Sequence, residues 1–135
     1  TELIELRLDK NRIEILPDWL SELNRLEIFS AERNQLTEFP SVILELENLR
    51  ELYLGDNFIT AIPIDIDLLK NLEWLGLWSN LLRRFPSSLS DMPKLTTLDI
   101  LYNDMTFSEQ TWLLELLPHI NVEMSEPCHC TFDDE

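Results

Sequence analysis

The sequence predicts an α/β fold: a right-handed solenoid with short parallel strands along a concave wall and a helical cap at its C-terminal end. Three observations predict it. Leu3, Leu26, Leu49, Leu72 and Leu95 stand at a constant step of 23. Asn11, Asn34, Asn57, Asn80 and Asn103 keep that step, and so do Pro17, Pro40, Pro63 and Pro86. Three residue types held in one register over roughly a hundred residues mark an internal repeat.

The repeating unit is plainest in the stretch LEWLGLWSN, where Leu72, Leu75 and Leu77 occupy positions 1, 4 and 6 and Asn80 occupies position 9. This spacing reads as a short strand with alternate residues buried, followed by a turn. An asparagine amide carries two donors and an acceptor, so it can satisfy turn backbone groups that burial would orphan. Proline then ends the extended segment and suits the first position of a short helix or 3₁₀ turn on the convex side.

The same reading assigns the core. Repeat 1 offers Leu3, Leu6, Leu8, Ile13, Leu16, Leu20 and Leu23; repeat 2 offers Leu26, Phe29, Ala31, Leu36, Phe39, Ile43 and Leu46. Repeat 3 offers Leu49, Leu52, Leu54, Ile59, Ile62, Ile66 and Leu69; repeat 4 offers Leu72, Leu75, Leu77, Leu82, Phe85, Leu89 and Met92. Repeat 5 begins with Leu95, Leu98, Ile100 and Met105. No unit can bury these side chains alone, so neighbours must stack.

The pattern LxxLxLxxNxLxxLPxxLxxLxxL resembles the leucine-rich repeat family. Its step of 23 with an internal proline is similar to the subclass of Ras-suppressor-type scaffolds and many bacterial repeat proteins. The resemblance covers about residues 3–124 and implies a horseshoe with a parallel concave sheet. It says almost nothing about activity, because the fold hosts many functions. Ala31, Phe39 and Phe85 depart from the leucine pattern and imply local repacking.

On this reading residues 1–124 form one repeat domain, divided at 3–25, 26–48, 49–71, 72–94 and 95–116, with a half-repeat cap at 117–124. Residues 125–135 form an acidic tail. For the cap, Ser108 is expected to cap a helix starting at Glu109 and stopped by Pro118. Trp112, Leu113, Leu116 and Leu117 would be its apolar side, and Leu117, Ile120 and Val122 repeat the 1, 4, 6 spacing. The N-terminal repeat shows no polar cap, so a missing upstream cap, or a second chain over Leu3, Leu6 and Leu8, is expected.

Composition removes several functions. The net charge is −16, from 26 acids against 10 bases, which repels nucleic acid and anionic membranes and favours basic partners. No run of roughly 18 apolar residues occurs, so no membrane-spanning helix is predicted. Two glycines leave no material for a phosphate-cradling loop. The histidines, His119 and His129, lie beyond the repeats, and no nucleophile motif stands beside a base. The acid pairs Glu45 with Glu47 and Asp65 with Asp67 read as a solvated convex face. The chain therefore reads as non-enzymatic, with no cofactor and no metal. Cys128, His129 and Cys130 supply three soft ligands where zinc takes four, and His119 could join only if the tail folded back. The CxC spacing also resembles the start of the cysteine-rich caps of extracellular leucine-rich repeat proteins, which need further cysteines. A body without cysteine favours a reducing, cytoplasmic setting.

The resemblance implies that positions 3, 5, 7, 8 and 10 of each repeat face the concave side. The N-terminal half of that face is mixed in charge. The C-terminal half presents Tyr53, Phe58, Trp74, Trp78, Leu81, Leu101 and Tyr102, a candidate binding patch for a protein or peptide, with the acidic charge favouring a basic one. Trp and Tyr are the usual energetic centres of interfaces, where losing one costs roughly 2 kcal/mol or more. Gly55 and Gly76 would leave floor space between the rings. The competing expectations are that the two indoles fold flat and cover each other, or that the module is a spacer or part of a longer scaffold whose contacts run through its N-terminal edge. A monomer is expected, with a dimer through that edge as the alternative.

Overall fold

The computed structural model describes residues 2–127. Six three-residue strands form one parallel sheet: β1 (Glu5–Arg7), β2 (Ile28–Ser30), β3 (Glu51–Tyr53), β4 (Trp74–Gly76), β5 (Thr97–Asp99) and β6 (Asn121–Glu123). They lie side by side in sequence order. Glu5, Ile28, Glu51, Trp74 and Thr97 stand in one row across the sheet, and Leu6, Phe29, Leu52, Leu75 and Leu98 in the next. The repeat step is thus the strand register.

Alternation does the rest. The middle residue of each strand points inward, and Phe29, Leu52, Leu75 and Leu98 are fully buried. On the convex side four 3₁₀ turns, Asp18–Glu22, Ser41–Glu45, Ile64–Leu68 and Ser87–Asp91, insert Leu20, Ile43, Ile66 and Leu89 into the same core. Each proline of the repeat sits one residue before its turn, with φ between −70° and −77°, rather than at the expected first helical position.

The asparagines bind the coils together. Asn80 donates to the Leu77 carbonyl of its own coil and the Leu54 carbonyl of the preceding one, each at 3.1 Å, and its side-chain oxygen accepts from Ile59 N–H at 2.9 Å. Asn34, Asn57 and Asn103 repeat the arrangement. The residue before each asparagine, Lys10, Arg33, Asp56, Ser79 or Tyr102, has a positive φ of 53–62°. No glycine is used there, so each turn carries a left-handed penalty of roughly 1 kcal/mol that the asparagine bonds offset.

The uncapped first repeat is open as expected, and the C-terminal cap departs from expectation. In repeat 1 Leu3 is 42% exposed, and Leu6, Leu8 and Ile13 are only half-buried, with no coil over them among the described residues. At the other end helix α1 spans Phe107–Leu116 and is capped by Thr106, not Ser108. Thr106 Oγ1 accepts from Glu109 N–H, and the Glu109 carboxylate accepts from Thr106 N–H, a reciprocal capping box. Leu113 and Leu117 are buried and Leu116 partly so, but Trp112 turns outward and is 45% exposed. Val122 pairs with Leu98, not Ile100, so the expected cap spacing is out by two residues. An α-helix rises about 1.5 Å per residue against about 2.0 Å in a 3₁₀ turn, so the last crossing consumes more chain.

Candidate protein-binding face

The first and third residues of each strand point away from the core and build the concave face. Of the expected patch, only Tyr53 and Trp74 lie within strands, and their rings meet at 6.4 Å between centroids, tilted by 38°. Trp78 and Leu101 follow β4 and β5 and remain half-buried. Phe58 and Leu81 lie beyond the asparagine turns, each about half exposed, and Tyr102 occupies a left-handed turn position. The candidate patch is therefore a strand-borne pair with flanking turn residues.

The two glycines do not hold open floor. A Cβ built on Gly55 would stand 2.1 Å from Trp78 Nε1, so the indole of Trp78 fills that space itself. At Gly76 a Cβ would meet Trp74 Nε1 at 3.3 Å and Tyr53 Cδ1 at 3.4 Å. Both indoles lean on the sheet, yet both keep part of their surface in solvent. The flat packing is thus real, and neither ring is sealed.

Charged groups frame the rings. Trp78 donates from Nε1 to Glu32 Oε2 at 2.9 Å, and the Arg33 guanidinium lies 5.8 Å from the Trp78 ring centroid. Arg33 also pairs with Asp56 at 3.9 Å. Arg7 lies 5.7 Å from the Tyr53 centroid and pairs with Glu5. Tyr53 donates to Glu51 at 2.7 Å. Burial, and then the Glu51 carboxylate beside it, pushes the Tyr53 hydroxyl up to about 12. The Trp74 N–H is buried and has no hydrogen-bond partner among the described residues. Burial also pushes the Asp99 carboxyl up; the Leu101 N–H pulls it down, and the adjacent Glu123 raises it again.

Glu32 and Arg33 both meet Trp78, and the aromatic pattern alone did not single them out. Their signal was present: Glu32 holds the same repeat position as Gly55 and Trp78. A hollow on the flank, lined by Arg83, Arg84, Phe85, Ser108, Glu109 and Trp112, was also missed, because it depends on how α1 leans on the preceding coil. Among the described residues no three His, Cys, Asp or Glu side chains gather as metal ligands. Cys128, His129 and Cys130 lie outside the described residues.

Comparison with known proteins follows the same architecture. Two leucine rich repeat family profiles match, one over residues 47–105 and one over residues 2–23. No match was found among curated proteins. Among solved structures, a leucine-rich repeat protein of Leptospira interrogans is 26% identical with a TM-score of 0.76, matching 90% of this chain and 37% of its own. An internalin of Listeria monocytogenes is 22% identical with a TM-score of 0.68, matching 95% of this chain and 43% of its own; that likeness shows the fold alone. A chain of the BIR3–SERK2 complex from Arabidopsis thaliana is 27% identical with a TM-score of 0.73, matching 94% of this chain and 70% of its own. The chain thus spans less than half the length of the first two.

Proposed function

The chain belongs to the leucine-rich repeat family, and from that premise we propose that it is a non-enzymatic interaction module that holds a protein or peptide on its concave face. The observation that carries this reading is the partly exposed Tyr53, Trp74 and Trp78 group on the concave wall. Aromatic side chains on an otherwise polar surface supply large contact area at low entropic cost. Leu101 and Tyr102 extend the apolar area on one side; Phe58 and Leu81 extend it past the turns. One similar structure is itself a complex of two proteins.

The test is a Trp74→Ala/Trp78→Ala double variant in a pull-down beside the intact protein. Capture is lost while the thermal midpoint falls by only a few degrees, since both rings rest on the outside of the sheet. Unchanged capture defeats the proposal.

One observation favours a second reading, a structural segment whose contacts run through its N-terminal edge. β1 has a neighbour on one side only, and Leu3 and Ile4 are 42% and 44% exposed beside it. The Asn11 side-chain amide donates within its own coil, to the Leu8 and Asp9 carbonyls, while its backbone N–H donates to Asn34 of the next coil. Sedimentation separates the two: a dimer abolished by Leu3→Glu supports the edge, and a monomer supports the concave face.

A further inference from the structure

Two arginines on the concave face share one arrangement: a guanidinium over an aromatic ring, with a carboxylate at its side. Arg7 does this with Tyr53 and Glu5. Arg33 does it with Trp78 and Asp56. A third set has the ring and the carboxylates but, among the described residues, no arginine. The Trp74 indole leans over Gly76, whose register partner on β5 is Asp99, and Asp99 pairs in turn with Glu123 on β6. These side chains leave the sheet on the same side, opposite to Leu75, Leu98 and Val122.

The charge distribution along the chain explains the gap. No Lys or Arg follows Lys94, whereas nine acids do. Upstream carboxylates find arginines in neighbouring coils, as Arg50 does with Glu27 and Glu73. Asp99 and Glu123 have no such neighbour to draw on, and they repel one another. Glu123 accepts a hydrogen bond from Asn121, and Asp99 one from Leu101 N–H, but neither donor carries charge.

We infer that the Trp74, Asp99 and Glu123 set receives an arginine side chain of a basic peptide segment. The guanidinium lies over the indole as the protein's own arginines lie over Tyr53 and Trp78, and its N–H groups face the two carboxylates. Lysine fits less well, because an ammonium is a point charge that cannot stack flat or donate as a fork. This inference rests on the concave-face reading and adds to it the chemistry of the partner.

The test uses the whole protein and three capped peptides: acetyl-Gly-Arg-Gly-Arg-Gly-amide and its lysine and citrulline counterparts. Citrulline keeps the shape of arginine and removes the charge. Each is titrated to about 10 mM, above a millimolar dissociation constant, while the four indole N–H resonances are followed by NMR. The arginine peptide shifts Trp74 saturably and leaves Trp19 and Trp112 in place. The citrulline peptide and the Asp99→Asn variant each weaken binding by about fivefold or more. Glu115→Gln, a charge change on the exposed side of α1, leaves it unchanged. Equal binding of the citrulline peptide, no effect of Asp99→Asn, equal shifts at all four indoles, or no shift at all would each overturn the inference. In any of these cases the pull-down with the Trp74/Trp78 double variant still decides the concave-face reading separately.

Discussion

The indole N–H of Trp78 reaches back two coils to donate to the Glu32 carboxylate at 2.9 Å, across 46 residues of sequence. The bond is possible because the intervening coil offers Gly55 at the same repeat position, with no side chain in the way. Gly55→Ala places a methyl group 2.1 Å from Trp78 Nε1, so the ring must lift. The expected cost is about 1–2 kcal/mol, from the lost hydrogen bond and lost packing. Urea denaturation measures it, and a red shift of tryptophan emission reports the lifted ring. An unchanged midpoint and spectrum would show that Trp78 does not rest on Gly55 in solution.

The asparagine ladder predicts unequal costs for equal substitutions. Asn80→Ala strands the N–H of Ile59 inside the coil and takes one of two donors from each of the Leu54 and Leu77 carbonyls, which keep Asn57 and Asn103. A loss of about 2–3 kcal/mol is expected, since one buried orphan costs about 1–3 kcal/mol and the weakened carbonyl bonds add to it. Asn11→Ala removes bonds only within an exposed first coil and is expected to cost less than about 1 kcal/mol. Similar losses at both positions would contradict the coil-to-coil role of the amide.

At the cap, Thr106→Ala removes the hydroxyl that accepts from Glu109 N–H, keeps the backbone N–H that donates to the Glu109 carboxylate, and is expected to lower stability by about 1 kcal/mol. Ser108→Ala lies one residue inside the helix start and is expected to be nearly neutral. Thermal unfolding of the two variants decides which residue caps α1.

The outcome at α1 shows where sequence reasoning succeeded and where it stopped. The step of 23 carried the strand register and the core from Leu16 to Met105, because each repeat solves one packing problem in one way. The same logic failed at the C-terminal end, where the problem changes. Leu3 fits the pattern and is exposed, as the uncapped first repeat leads one to expect. Val122 fits a 1, 4, 6 spacing and pairs two residues out, since an α-helix replaces the 3₁₀ turn. Thr106 and Ser108 are both good caps, and local sequence could not choose between them. The site was half visible for a related reason. Repeat position tells which way Trp74 and Trp78 leave the sheet, but not how far a long side chain then travels. That distance depends on Gly55 and Glu32, residues chosen by the column and not by the strand.

Asp99 yields a prediction whose sign follows from its surroundings. Burial, with Glu123 adding, raises its carboxyl above the ordinary value of 3.8. The folded state therefore binds this proton more tightly than the unfolded chain does. Ionising Asp99 costs stability; the cost is absent below pH 3.8, grows through the raised titration and is complete above it. Asp99→Asn removes the charge while keeping an oxygen to accept the Leu101 N–H. The variant is thus expected to be more stable than the parent at neutral pH and to lose that advantage near about pH 3. Urea midpoints of both proteins across this range check it. A gap that stays constant with pH, or that favours the parent at neutral pH, would show that Asp99 is solvated or already neutralised by a cation. The same variant loses the carboxylate that an incoming arginine would meet, so a gain in stability and a loss of arginine-peptide binding should appear together in one protein.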